Sequence, residues 1–300
     1  MKRSWKWMAA VGCCALGAGI LLCAVGSMLG AKTITIRDGE VVLGDQPSGF
    51  TMSVGIGGED EDSLKLEGDA GLPQDLSVDS LELSPTVGTL TVKAGEEWKL
   101  TYNLRNPEYL TWKQNGSTLE VRYEQPGWMG QKIQGGQIEL TVPQELLLQN
   151  LKVDVGVGDT TIRSLHVQQA DLVGGVGDLT AEELTVDGNF SVESGVGNTE
   201  LEGVFNGEVE IHTGVGDVEI AGNFSRGLSL EAGVGNTEVE VRGAKQDDFD
   251  YDIDAGMGDV SVEGISMGNW TGGEYVTDNQ KGRQITIDGG IGTVEVSFTD

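Results

Sequence analysis

The stretch VEIHTGVGDVEI, residues 209–220, contains the pattern that decides the fold. Apolar and polar residues alternate on both sides of Gly214-Val215-Gly216-Asp217. A period of two is typical of a strand with one buried face and excludes a helix. Glycine permits the positive φ of a sharp corner, and aspartate can bond the nearby backbone. The stretch therefore predicts two short strands joined at a corner, with the valine between the glycines tucked inward.

The Gly-hydrophobic-Gly element recurs seven times after residue 150. Its first glycines are Gly156, Gly175, Gly195, Gly214, Gly233, Gly256 and Gly290, at steps of 19, 20, 19, 19, 23 and 34 residues. A regular period near 20 is typical of a solenoid, in which no rung can bury its apolar face alone. We predict an all-β fold: a single-stack, parallel, β-helix-like solenoid with rungs of about 19–20 residues over 151–300.

The segment before the regular repeat also has strand patterns. Residues 81–92 resemble a degenerate rung, and 119–123 and 138–142 alternate with period two. We interpret 76–150 as early irregular rungs that cap the same solenoid, with a separate domain as the alternative. Residues 32–75 are interpreted as a linker with N-terminal strands.

The N-terminus predicts a membrane anchor. Residues 8–31 carry no charge, and 24 helical residues would span about 36 Å, enough to cross a hydrocarbon core. The basic residues of the stub 1–7 predict a cytosolic N-terminus and an extracellular body, a single-pass arrangement in the cell membrane. A cleaved signal peptide and a lipoprotein signal are the alternatives.

Composition restricts the partners and the chemistry. The formal charge is -29, and Lys2, Arg3 and Lys6 carry every charge before residue 32, so the body is more acidic still. Nucleic acid is therefore excluded, and cations, basic proteins, surface proteins or polar envelope glycans are favoured. The three cysteines all lie in the apolar N-terminal stretch, which leaves the body without a thiol nucleophile or a disulfide.

Stacked rungs would place equivalent acids in columns about 4.8 Å apart. The corner column is Asp159, Asp178, Asn198, Asp217, Asn236 and Asp259, and two outward columns are Glu200, Glu219 and Glu238, and Glu193, His212, Glu231, Asp254 and Asp288. Stacked carboxylates are hard oxygen ligands, so Asp159, Asp178, Asp217 and Asp259 are candidate calcium ligands. The alternative is that these acids only form turns and a solvated face, with no cofactor. Asp159 and Asp178 are consecutive in the corner column with no asparagine between them, so their carboxylates are expected to repel each other.

Aromatic residues concentrate before the repeat and in the long step after residue 256. Exposed rings stack on sugars or anchor protein partners, so Trp98, Trp112, Trp128 and Trp270 are candidate binding residues. The alternative is that the rings of residues 98–128 form the core of an irregular cap.

Three motifs together resemble a known family: IELTVP at 138–143, LKVDVGVGD at 151–159, and the later rungs that end in Gly-x-Gly-Asp-Val. The chain resembles the "putative adhesin" family of bacterial β-strand-repeat proteins over about residues 76–300. The resemblance implies an envelope protein of gram-positive bacteria behind a single anchor. It implies no catalytic or binding residue.

We therefore predict a non-enzymatic cell-surface protein, an adhesin or an envelope scaffold. An envelope-stress sensor, or a regulatory partner that uses the helix 8–31, is the alternative. A calcium-binding module is less favoured, because the turn aspartate alternates with asparagine and occurs only once per rung. A polysaccharide-active enzyme is also less favoured, because the acids spread along columns and the rungs before residue 243 have almost no insertions that could form a cleft.

Overall fold

The computed structural model describes the backbone of three N-terminal strands and the residues of three longer segments, 66–125, 135–267 and 272–299. The N-terminal strands are β1 (Thr33–Arg37), β2 (Glu40–Asp45) and β3 (Phe50–Val54), which form an antiparallel sheet of their own. The predicted membrane helix at 8–31 lies outside the described residues. Within them, no helix is both long and apolar enough to cross a bilayer.

All the other strands belong to one 23-stranded sheet that coils into a stack. In chain order they are β4 (Leu66–Asp69), β5 (Ser80–Pro85), β6 (Thr89–Gly95), β7 (Lys99–Leu104), β8 (Leu110–Asn115), β9 (Thr118–Tyr123), β10 (Gln137–Pro143), β11 (Leu147–Val157), β12 (Thr160–Arg163), β13 (His166–Val176), β14 (Leu179–Val186), β15 (Phe190–Val196), β16 (Thr199–Phe205), β17 (Val209–Val215), β18 (Val218–Phe224), β19 (Gly227–Val234), β20 (Thr237–Arg242), β21 (Asp250–Met257), β22 (Val260–Val262), β23 (Ile265–Met267), β24 (Gly273–Thr277), β25 (Gln284–Ile291) and β26 (Val294–Thr299). Short 3-10 turns lie at Pro107–Tyr109 and Gln246–Asp248.

Consecutive strands form rungs that stack in parallel register. In one rung β17 leads into β18, and both strands pair with the equivalent strands of the next rung, as in Ile211 beside Leu230 and Ile220 beside Val239. The four inward columns that the period of two predicts are buried along the whole repeat. They contain Leu151, Val153, Thr160 and Ile162 in the first regular rung and the equivalent residues above them. The predicted all-β fold with a mostly parallel sheet is confirmed.

The spatial order of the rungs differs from their order along the chain at both ends. The last rung, β25–β26, lies between β19–β20 and β21–β22. At the other end β5–β6 lies between β9–β10 and β11–β12. The expected adjacency of Asn236 and Asp259 is therefore wrong, because Thr293 occupies the level between them.

Antiparallel strands explain this exchange of rungs. β24 pairs with β21, and β23 pairs with β22, so one edge of that rung is covered by its own following segment. The opposite edge of β21–β22 pairs with the last rung, β25–β26. The rung β21–β22 therefore has no edge left with which to pair with β19–β20. β8 on β9 and β7 on β10 cover the N-terminal end in the same way. Covered ends protect a stacked sheet from pairing with other chains.

The two glycines of each corner are required by the closeness of the rungs. The second glycine has a positive φ, 144° at Gly216, and a Cβ there would lie 1.9 Å from the carbonyl oxygen of Gly197. The first glycine is extended, but a Cβ on Gly214 would lie 2.3 Å from the oxygen of Gly195. The carbonyl of the rung below thus occupies the space that a side chain would need.

The valine between the glycines does not tuck inward throughout the stack. Val157 and Val176 are 8% and 7% exposed, as predicted. Val215, Val234 and Met257 of the equivalent column are 37%, 40% and 54% exposed, so the prediction is wrong for the later rungs.

Candidate functional site

A hydrogen-bonded ladder runs along the corner of the stack. We call the side chains of Asp159, Asp178, Asn198, Asp217 and Asn236 the corner ladder. Each Oδ1 accepts the backbone N–H of the corner residue one rung further on, at 3.1, 2.8, 3.1, 2.8 and 3.2 Å, ending at Thr293. The expectation that Asp159 and Asp178 stack without relief is wrong, because the N–H of Asp178 donates directly to the carboxylate of Asp159.

The ladder accounts for part of the predicted calcium set. Asp159, Asp178 and Asp217 each use one carboxylate oxygen for a neighbouring rung. Asp259 lies on the outermost rung, where its backbone carbonyl accepts the N–H of Val294. No group of three or more His, Cys, Asp or Glu suited to a metal ion occurs among the residues that the structure describes. Calcium binding stays a prediction.

Beside the ladder lies a column of glutamates, two residues further along each rung. Glu200, Glu219, Glu238 and Glu295 are neighbours in the parallel register, and we call them the glutamate column. Ladder and column are the two sides of an open groove of about 630 Å³. No basic residue is among those that line it in the described part of the chain, so its negative charge has no local counter-charge.

A second acidic surface lies on the other wall of the stack. Its column reads Glu193, His212, Glu231, Asp288 and Asp254, which confirms the predicted members and exchanges the last two. His212 lies between two carboxylates, with Nε2 3.1 Å from Glu210 and Nδ1 3.2 Å from Glu231. Partial desolvation, then the charges of Glu231 and Asp252, raise the pKa of Asp288.

Sequence reasoning missed a polar column at another corner. His166 Nε2 lies 2.8 Å from Asp187, Asn206 donates to Asp187 at 3.1 Å, and Ser225 donates to Asn206 at 3.1 Å. The hydrogen bonds from His166 and Asn206 lower the pKa of Asp187. The 19-residue spacing of Asp187-Gly188 and Asn206-Gly207 is the sequence signal that could have revealed it.

The structure places two of the four candidate aromatic residues. Trp98 is 4% exposed and packs in the core. Trp112 packs partly buried against the core and donates its indole N–H to the carbonyl of Ala70 at 3.1 Å. Trp128 and Trp270 lie outside the described residues. A role of these rings in binding is not tested by their placement and stays a prediction.

Comparison with known proteins adds a family match. The family model described as Toastrack DUF4097 matches residues 75–296. This span closely follows the 76–300 of the resemblance seen in the sequence. None of the curated proteins compared with the chain matches it.

Several solved structures match most of the chain. A "putative adhesin" from Bacteroides fragilis is 17% identical, with 78% of this chain and 97% of that chain covered and a TM-score of 0.47. A "putative lipid binding protein" from Parabacteroides distasonis is 12% identical, with 78% and 97% covered and a TM-score of 0.39. A "putative cell adhesion protein" from Clostridium sporogenes is 15% identical, with 79% and 100% covered and a TM-score of 0.30. Likenesses at this level do not bear on function.

Proposed function

We propose that this chain, which belongs to the Toastrack DUF4097 family, is a non-enzymatic scaffold of the cell surface that holds partners along its acidic solenoid. An anchor at residues 8–31 would hold it in the membrane with the body outside. Adhesion, or the organisation of other envelope components, is the activity that such a scaffold would serve.

The observation that carries this proposal is the glutamate column with its groove. Four carboxylates face the same groove from consecutive rungs, and no basic residue is among the described residues that line it. A regular row of like charges attracts basic or polar partners over a distance. Solenoids commonly use such extended surfaces for binding, because each rung repeats the same contact.

The shape of the stack supports a scaffold better than an enzyme. The parallel rungs from β9–β10 to β21–β22 comprise nine levels, so the stack is about 38 Å long at about 4.8 Å per level. A glycosidase needs two carboxylates that face one substrate across a cleft. The glutamate column instead repeats one side chain at one position along a wall.

Two measurements test the proposal. Protease treatment of intact cells should remove the body, since the proposal places it outside. Cells that display the chain should also retain positively charged beads, and retention should decrease as salt is raised, because salt screens exposed charges. Protection of the body from protease, or retention that does not respond to salt, would contradict the proposal.

An exchange of the anchor separates the scaffold from a regulator that acts through its membrane helix. In this variant an unrelated membrane helix replaces residues 8–31. A scaffold should keep its cross-linked envelope partners, whereas a helix-mediated regulator should lose them. Loss of every partner would reject the scaffold.

A further inference from the structure

An apolar row, half-buried at Val196 and Ile291 and exposed at its other three members, follows the corner of the later rungs. We call it the apolar stripe; in spatial order it contains Val196, Val215, Val234, Ile291 and Met257. These residues are direct neighbours in the parallel register. Three of them are among the most exposed large apolar residues of the described chain, with Met257 at 54%. Four steps of about 4.8 Å give the stripe a length of about 19 Å.

The fold itself does not require this exposure. The same column is buried at Val157 and Val176, so the corner can enclose its central residue. In the later rungs the sequence nevertheless keeps Val, Ile or Met at this position, including the three rungs in which it is exposed, at Val215, Val234 and Met257. A contiguous apolar row on an otherwise acidic surface is typical of an interaction site.

The apolar stripe lies beside the acidic groove on the same rungs. Along one rung Val215 belongs to the stripe, Asp217 to the corner ladder and Glu219 to the glutamate column, and all three are exposed. The spacing along the chain from Val215 to Glu219 allows at most about 14 Å. Because the chain turns between β17 and β18, the two rows are closer than this extended limit, and one helix, about 10–12 Å in diameter, can contact both.

We propose that the apolar stripe and the adjacent groove bind a basic amphipathic helix of a partner protein. Its apolar side chains would pack on the stripe, and a parallel row of Lys or Arg would enter the groove beside the glutamate column. The proposal deepens the scaffold function, because it assigns that scaffold a class of partner and a surface.

The repeat lengths of helix and stack agree. Apolar positions of an amphipathic helix recur every 3.5 residues on average, or about 5.3 Å along its axis. The stripe recurs about every 4.8 Å, so a helix of about 14 residues can follow all five of its levels. Charge selects a basic helix over a lipid surface, since anionic headgroups would be repelled by the glutamate column.

A peptide titration of the full chain tests the proposal. The probe is a synthetic peptide of about 18 residues made of Leu, Lys and Ala, with Leu at the heptad a and d positions and Lys at e. A scrambled peptide of the same composition is the control. Fluorescence anisotropy of the labelled peptide gives the Kd. We expect the amphipathic peptide to bind at least about tenfold more tightly than the scrambled peptide, and its Kd to rise with salt.

Variants of the chain locate the contact. V215T/V234T keeps the β-branched shape but makes the stripe polar, and E219Q/E238Q removes two charges of the groove. Each should weaken binding by about tenfold or more. V204T alters an exposed valine at another place, E96Q/E97Q removes two exposed acids elsewhere, and both should change the Kd by less than about twofold.

Several results would overturn the proposal. These are equal binding of the two peptides, unchanged binding to V215T/V234T at an unchanged melting temperature, or binding of neutral lipid vesicles that depends on the same two valines. A peptide in which Glu replaces Lys provides an independent measure, since it should fail to bind the unaltered chain. The titration uses purified protein and does not depend on where the protein lies in the cell. A negative titration would therefore reject the helix site, whereas the protease test on intact cells decides the surface location separately.

Discussion

The backbone N–H of Asn198 donates a hydrogen bond to Oδ1 of Asp178, 2.8 Å away on the neighbouring rung. The same contact repeats along the corner ladder whether the acceptor is aspartate or asparagine. The side-chain oxygen at this corner therefore acts as an acceptor between rungs. Since Asn serves as well as Asp, the contact does not depend on the negative charge.

Replacing Asp178 tests the ladder. D178N keeps the acceptor and should leave the stability unchanged, whereas D178A removes it and should cost up to about 1 kcal/mol, as for a single exposed hydrogen bond. The amide of Asn198 should then exchange its hydrogen faster. Chemical denaturation and hydrogen exchange measure both effects. D171A removes another exposed acid and should stay within about 0.5 kcal/mol; equal losses in D171A and D178A would reject the ladder.

Replacing corner glycines tests the close approach of the rungs. G216A places a Cβ 1.9 Å from the oxygen of Gly197 at a φ of 144°. The rungs would have to move apart, and we expect a loss of about 3 kcal/mol or more, or no folding. G174A is the matched control, because a Cβ there would have no non-neighbouring atom of the described residues within 4 Å. Thermal unfolding compares the two variants, and similar melting temperatures would show that the corners tolerate side chains.

A stack of phenylalanines tests the core. Phe205 lies between Phe190 and Phe224, with ring centroids 5.1 and 5.4 Å apart. F205A should cost about 3–5 kcal/mol, because it leaves a cavity between rungs. V204A changes the neighbouring residue, which is 42% exposed, and should cost less than about 0.5 kcal/mol. Urea denaturation measures both, and a small loss in F205A would mean that the rungs collapse to fill the space.

Replacing Asp288 or Asp187 by asparagine should change the pH dependence of the stability in opposite directions. Asp288 has a raised pKa in the folded chain, so its contribution to stability is complete below the unfolded pKa and is lost as pH rises through the folded value. Compared with the parent chain, D288N should therefore be more stable at pH 7 and about equally stable at pH 3.

Asp187 provides the opposite sign, because its pKa is lowered by His166 and Asn206. Its contribution is present above the unfolded pKa and is lost as pH falls through the folded value. D187N should destabilise the protein at pH 7 and have little effect at acid pH. Melting curves of both variants between pH 3 and pH 7 measure this; shifts of the same sign would contradict the assignment.

The candidate surface was partly predictable from sequence. The members of the glutamate column follow from the period of two and the 19-residue repeat, and the structure adds Glu295. The apolar stripe was not predictable, because Val157 and Val215 occupy equivalent positions in the repeat and differ only in what surrounds them. The hydrogen bonds of the ladder were also missed, since a column of acids suggests repulsion unless the direction of the neighbouring N–H groups is known.

The sequence by itself determined the strands, the corners and the inward columns, because alternation decides which face each side chain takes and glycine alone fits where the rungs approach closely. Only the tertiary structure decided which rungs are neighbours at the ends. Each strand has two edges, and β21 uses one for β24 and the other for β25. The repeat pattern is the same for every rung. It therefore cannot specify that the last rung of the chain, β25–β26, lies between β19–β20 and β21–β22. Competition for unpaired edges decides that order.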